Sequence, residues 1–196
     1  MISMTTTNRD AVVVHAAGSG ITLTDANETD LSKTLDVAKD AFPDPVGWWN
    51  NADDSKHYTS KLAGLHSRSL KCVVAKIGAD VVGYIFYQPQ RRGSEIYIKE
   101  LATHPAHKGK GISMLLLAYA IGEAKDNGRS HMKLYTAKGD VGKQGFYTQF
   151  GCAKVARRDY RTDGYTTDDE NPDKGSDLLS GVVNTVWGTL KAKMGI

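Results

Sequence analysis

Cysteine, proline and long apolar runs are scarce in this chain, and each scarcity closes off a class of protein. Two cysteines in 196 residues, Cys72 and Cys152, cannot build a disulfide framework. Both sit in apolar, strand-like runs, where a free thiol behaves as a small buried hydrophobe. With five prolines there is no proline-rich linker. No stretch approaches the roughly 18 apolar residues of a membrane span. Residues 1–10 are polar and threonine-rich and lack the apolar core of a signal peptide, so the expected location is cytoplasmic. Neither sign of charge dominates. Lys and Arg number 25 against 22 Asp and Glu, a net +3, which argues against a dedicated DNA binder and its basic stripe. A phosphate-bearing small ligand stays open. His104 and His107 straddle Pro105 with no further ligand nearby, so no metal site is expected.

What is present reads as a globular α/β chain, 40% hydrophobic and 24% charged. Residues 1–19 read as a loose arm with a short strand near Ala11–Val14, and 21–24 as a strand. Asn27 or Thr29 caps a helix over about 30–42, which Pro43 and Pro45 stop. A loop over 46–54 carries Trp48, Trp49, Asp53 and Asp54, and a second helix covers about 55–66. Three strands follow closely, over 72–77, 80–88 and 95–103, and such short connections predict antiparallel pairing. A helix over 111–125 ends at Gly128. A strand over 132–136, a helix over 141–149 and a strand over 152–158 come next, and that order predicts locally parallel pairing. Residues 161–177 form an acidic loop. The segment 176–194 places Leu178, Val182, Val186, Leu190 and Met194 on one helical stripe, expected to pack on the same protein or across a homodimer rather than on a membrane. The expected division is an N-terminal arm (1–19), one enzymatic domain (20–160), and an acidic loop with an amphipathic helix (161–196).

The chemistry concentrates in EIYIKELATHPAHKGKGISM, residues 95–114. A strand ends near Thr103, His104-Pro105 forces an extended exit, and the basic loop KGKGIS opens an amphipathic helix. This suits a pyrophosphate. Gly109 and Gly111 let the backbone approach closely, successive amides can point at an anion, the helix start adds partial positive charge, and Lys108 and Lys110 add full charges. A Walker A loop is absent, and the dinucleotide pattern GxGxxG breaks off at Met114.

These residues resemble the acetyl-CoA signature of the GNAT superfamily of N-acetyltransferases, [RQ]xxGx[GA] after a strand. Lys108 stands in the Arg/Gln place, Gly111 in the first Gly place and Ser113 in the Gly/Ala place. Lys keeps the charge of Arg without its planar fork. Val81-Val82-Gly83-Tyr84-Ile85 is similar to the family's third strand, and Gly145-Phe146-Tyr147-Thr148-Gln149-Phe150-Gly151 resembles its later FYxxxGF element, with Cys152 in the final place. The resemblance covers about residues 20–160.

It implies a mixed, mainly antiparallel twisted sheet flanked by helices, and direct transfer of acetyl from acetyl-CoA to a primary amine. It implies cofactor contacts from Leu101, Ala102, Thr103, Lys108, Gly109, Lys110, Gly111, Ile112 and Ser113, with the Leu101–Thr103 backbone near a strand bulge polarising the carbonyl. Asp140 stands where relatives carry Asn, and Lys143 where they carry Ala, at the pantetheine end of the site. Tyr147 matches the tyrosine that protonates the departing thiolate, and Glu100 is the candidate general base. The acidic residues Asp53, Asp54, Asp163, Asp168, Asp169 and Glu170 would favour a cationic small-molecule or peptide amine as acceptor. Two alternatives stand beside this one: toxin-like acetylation of aminoacyl-tRNA, and a non-catalytic acyl-CoA-binding regulator.

Overall fold

Three closely spaced apolar runs set the centre of the molecule. The computed structural model describes residues 6–42, 70–89, 94–137, 139–155 and 176–196. In chain order the elements are α1 (Asn8–Gly18), β1 (Thr22–Asp25), α2 (Glu28–Ala41), β2 (Lys71–Ile77), β3 (Asp80–Pro89), β4 (Glu95–Thr103), a 3-10 turn (Pro105–His107), α3 (Ile112–Asp126), β5 (His131–Ala137), α4 (Val141–Thr148), β6 (Ala153–Lys154), β7 (Ser176–Val182) and α5 (Val183–Met194). They form one seven-stranded sheet of order β1-β2-β3-β4-β5-β7-β6. Every neighbour pair is antiparallel except β4 with β5. This is the mixed, mainly antiparallel α/β architecture that the sequence implies.

The sheet is covered on both faces. α2 packs on one face, where Leu31, Val37 and Ala38 meet Val74, Tyr84 and Phe86. α1, α3 and α5 cover the other. α3 is sandwiched between the sheet and the two terminal helices, so its residues from Leu115 to Ala124 are all buried. Each fully buried Leu or Ile there contributes about 1.5–3 kcal/mol. α3 also lies unusually close to β3. A side chain on Gly83 would come within 2.9 Å of the Ala102 carbonyl oxygen and of Ile112 Cγ2.

Both ends of the chain differ from the sequence expectation. Residues 8–18 are a helix rather than a loose arm. Thr7 caps it, and the Asn8 and Arg9 amides donate to the Asp126 carboxylate at 3.1 Å each. Val12 and Ala16 are buried against α3. The helical reading fails in the sequence because the anchoring carboxylate lies 118 residues away. At the other end, 176–182 is a strand rather than the first half of a helix. β7 is hydrogen-bonded on both sides, so Leu178 and Leu179 are both buried, and such a run has no periodicity that separates strand from helix. Gly181 belongs to this packing, since a side chain there would meet Cys152 Sγ and Val186 Cγ2 at 2.9 Å. The tail stripe that remains on α5, Val186, Trp187, Leu190 and Met194, is buried within this chain, packed on α3.

β7 also overturns the expected parallel pairing of the strands on either side of α4. It inserts between β5 and β6 and pairs antiparallel with both, and the parallel pair is β4 with β5, joined through α3. Asp177, counted with the acidic loop in the sequence, lies in this strand and is buried. It accepts from Gln144 Nε2 at 2.9 Å and Lys154 Nζ at 2.7 Å. The expected loop over 46–54, the helix over 55–66 and the acidic stretch 161–175 lie outside the described residues. No helix among the described residues is long and apolar enough to cross a membrane.

Candidate functional site

Leu101, Ala102 and Thr103 lie where the sheet opens. β4 and β5 pair only from Glu95–His131 to Ile98–Leu134. Beyond Ile98, β3 is the one strand beside β4 among the described residues, while β5 continues against β7 to Ala137. The opening begins at a bulge. Phe86 pairs Glu100 and Tyr87 pairs Ile98, which leaves Lys99 as the extra residue. A bulge bends its strand and resets which face each later side chain takes. Ile96 and Ile98 face the α3 side, and after the bulge Leu101 does so again, while Glu100 and Ala102 turn to the α2 side. Among the described residues no second strand lies beside the backbone from Lys99 to Thr103, a stretch that contains Leu101, Ala102 and Thr103.

The glycine-rich loop abuts this opening. The His104 amide donates to the Val82 carbonyl at 2.9 Å, and Pro105–His107 forms a single 3-10 turn. Gly109 and Gly111 then take left-handed conformations, φ +80° and +76°. A residue with a side chain would be strained at both. Gly111 is the N-cap of α3 and supplies no capping side chain. By contrast, α1, α2 and α4 are capped by Thr7, Asn27 and Asp140. α5 also lacks a capping side chain, but its Val183 amide is taken by the Ser130 carbonyl. The amides of Gly109, Lys110 and Gly111 donate to no other backbone group among the described residues. The start of α3 therefore presents unspent N–H groups and the positive end of a buried helix. Lys108 and Lys110 flank it, both exposed, with Lys110 Nζ 3.3 Å from His107 Nδ1. The hydroxyls of Thr103 and Ser113 share a hydrogen bond of 2.8 Å, fixing the end of β4 to the first turn of α3.

Asp140 and Lys143 lie together at the start of α4. Asp140 accepts from the Lys143 amide at 3.0 Å and pairs with its ammonium at 3.1 Å. The amide bond and then the charge hold the Asp140 carboxyl below the usual carboxylate range. The Lys143 ammonium also lies 5.3 Å from the centre of the Phe42 ring at the end of α2. Asp140 thus has a clear local task as a helix cap.

Tyr147 and Glu100 belong to different clusters. Tyr147 is 8% exposed, in the α3-side core, with its ring edge-on to Phe146 at 5.0 Å. Burial raises its phenol well above the ordinary value, so it is protonated at neutral pH, and its hydroxyl has no hydrogen-bond partner among the described residues. Burial also pushes the neighbouring Cys152 thiol up to about 11. Glu100 lies on the opposite face, where the Tyr84 hydroxyl donates to its Oε1. Tyr84, which the sequence gives no role beyond the third-strand likeness, is brought to Glu100 by the register of β3 against β4. It also passes over Asp40, whose carboxylate lies 3.0 Å from His104 Nε2 while His104 Nδ1 accepts from the Ala106 amide at 3.2 Å. Among the described residues no three His, Cys, Asp or Glu side chains gather as a metal site.

A sheet that opens between two parallel strands, against an uncapped glycine-rich helix start, defines the architecture of an acyl-CoA-dependent acyltransferase. The sequence model of the Acetyltransferase (GNAT) family matches residues 34–152, and the chain belongs to that family. A comparison with curated proteins finds no match. Among solved structures, the chain is similar to the ribosomal-protein-S18-alanine N-acetyltransferase of Escherichia coli, at 17% identity and a TM-score of 0.62 over 83% of this chain and 94% of that one. The PaiA N-acetyltransferase of Thermoplasma acidophilum, in complex with coenzyme A, matches at 16% identity and 0.61 over 83% and 98%. A GNAT-family acetyltransferase of Staphylococcus aureus Mu50 matches at 15% identity and 0.66 over 83% and 99%. At these identities the likeness is one of fold.

Proposed function

We propose that this chain transfers acetyl from acetyl-CoA to the primary amine of a cationic small molecule or peptide, in a ternary complex at the open end of the sheet. The observation that carries the reading is the meeting of two features: the one-sided half of β4, Lys99–Thr103, and the uncapped, glycine-rich start of α3. Acetyl-CoA would supply a thioester and a pyrophosphate. For the pyrophosphate the fit is good. Nothing lies within 4 Å of a side chain built on Gly109, so the loop surface is open to close approach by an anion. The amides of Gly109 to Ser113 and the ammonium groups of Lys108 and Lys110 would hold it, with Ile112 packed beneath. Asp140 and Lys143 would border the pantetheine arm.

In this reading Glu100 takes a proton from the acceptor, directly or through water, because an alkylammonium with a pKa near 10.4 must become a neutral amine before it attacks. The backbone of Leu101–Thr103 donates to the carbonyl oxygen on which charge develops. As the new C–N bond forms and the C–S bond breaks, Tyr147 gives its proton to the sulfur and recovers one from the amine nitrogen. Tyr147 as a residue is largely buried, but its hydroxyl keeps access to solvent, which leaves it free to meet a group delivered with the cofactor. Retention of both Tyr147 and Glu100 favours turnover over a purely ligand-binding role, and the near-balanced charge disfavours tRNA. A cytoplasmic setting fits an intracellular co-substrate.

Incubation with acetyl-CoA and a panel of polyamines, lysine-containing peptides, and neutral and acidic amines, read by mass spectrometry, tests the proposal. N-acetylation of cationic amines is expected. Acetyl-CoA binding without turnover of any amine would point instead to a regulator, and a preference for acidic amines would overturn the acceptor class.

A further inference from the structure

β3 carries two tyrosines three residues apart, on opposite faces of the sheet, and each meets a glutamate. Tyr87 donates to Glu123 Oε2 of α3 at 2.6 Å, and Lys71 pairs with the same carboxylate. That pair lines a cavity of about 210 Å³ at the far end of the sheet, with Ile96 and Arg129. Tyr84 instead lies on the α2 face, fully buried, with its ring edge-on to Phe86 at 5.4 Å. Its hydroxyl donates to Glu100, the residue just past the bulge. The bulge itself makes the meeting. With unbroken alternation from Ile96 and Ile98, residue 100 would face α3. The extra residue Lys99 turns Glu100 to the Tyr84 side, where Tyr84 stands diagonally across the strand pair.

We propose that Tyr84 is a positioning residue for the reaction, holding the Glu100 carboxylate in one orientation at the open half of β4 and in its proton-accepting form. The proposal rests on the reading of Glu100 as general base. A hydrogen bond donated to a carboxylate favours the ionised form. Burial first, and the adjacent Glu100 charge second, push the Tyr84 phenol well above its ordinary value, so the shared proton stays on tyrosine. The other titratable groups on the elements packed around Glu100 are Cys72 of β2, Asp36, Lys39 and Asp40 of α2, His104, and Lys99 on its own strand. Asp30 and Lys33 of α2 engage Lys76 and the Ala79 carbonyl instead. Removing one hydroxyl from Tyr84 alters none of these side chains.

The test compares wild type, Tyr84→Phe, Glu100→Gln and Tyr87→Phe, the last a matched control at the far end of the sheet. Two readouts are taken: pH profiles of kcat and kcat/KM with acetyl-CoA and the best amine of the panel, and carbon-13 NMR titration of the Glu100 side-chain carboxyl. In Tyr84→Phe the Glu100 midpoint and the acidic limb of the profile should both rise by roughly one pH unit. Turnover at neutral pH should fall about tenfold, with KM for acetyl-CoA unchanged. In Tyr87→Phe both midpoints should stay in place even if stability drops. An unmoved Glu100 midpoint in folded Tyr84→Phe overturns the positioning role, whatever the kinetics show. A moved midpoint, together with a Glu100→Gln enzyme that keeps its acidic limb and turnover, overturns the base assignment instead and removes the catalytic meaning of the pair.

Discussion

The two halves of β4 are built alike and bounded differently. Ile96–Ile98 is hydrogen-bonded to β3 on one side and β5 on the other, and its Ile96 and Ile98 are buried in the core under α3. Beyond the bulge at Lys99, Glu100–Thr103 continues the same strand, with β3 the one strand beside it among the described residues. One bulged residue separates them and reverses which side chains face which layer. The first half holds the sheet together. The second turns Glu100 to the Tyr84 side and ends tied to the first turn of α3 through Thr103 and Ser113. The comparison teaches how one extra residue lets a single strand serve both a closed and an open part of the sheet.

Substitutions can sharpen this contrast, and the largest effect is expected at the proposed acid, Tyr147. Tyr147→Phe should lower kcat about 100- to 10,000-fold under conditions where chemistry limits the rate, because a proton given to the departing sulfur acts mainly in the transition state. Acetyl-CoA affinity should stay near the wild-type value. Unchanged turnover in a rapid-quench assay would reduce Tyr147 to a packing residue. In the closed half, Ile98→Ala removes a buried side chain from the core and should cost about 2–5 kcal/mol in urea unfolding. The folded fraction should still bind acetyl-CoA with little change in calorimetry, and selective loss of binding there would erase the division of labour.

A smaller effect concerns the strand that seals the far side of β5. Lys154 chiefly, with Gln144, holds the Asp177 carboxyl below the usual carboxylate range. The folded state therefore favours the ionised form. The resulting stability is present above the ordinary carboxylate value near 4 and is lost as pH falls through the lower folded value. Asp177→Asn should flatten the decline of melting temperature below about pH 4 and leave the neutral-to-alkaline profile parallel to wild type. An unchanged acid limb would show that this carboxylate plays no part in acid unfolding.

How much of this was legible in the sequence follows from where each cause resides. β2, β3 and β4 announce themselves through alternation and short turns, and the Gly-Lys-Gly-Ile-Ser loop carries its left-handed glycines as visible residue types. The family resemblance read from those residues agrees with the matched family. What stayed hidden depends on distant partners. α1 is anchored by Asp126, β7 reads as helix until its two neighbours are known, and Tyr84 meets Glu100 only through register and the bulge at Lys99. Pairing order was hidden for the same reason, since β7 arrives from the tail to part β5 from β6. Asp53, Asp54, Asp163, Asp168, Asp169 and Glu170, the acidic residues that favour a cationic acceptor, lie outside the described residues, as do Trp48 and Trp49.

The central claim, that the one-sided half of β4 and the start of α3 together receive the cofactor, is tested most directly by amide hydrogen exchange with and without saturating acetyl-CoA. Exchange should slow by roughly tenfold or more across Lys99–Thr103 and from Lys108 to Met114, because a ligand that binds only the folded site suppresses its local opening. Ile96–Ile98, already paired on both sides, should change little by comparison. Protection confined to other segments, or none in the β4 and α3 segments at saturating acetyl-CoA, would contradict the account.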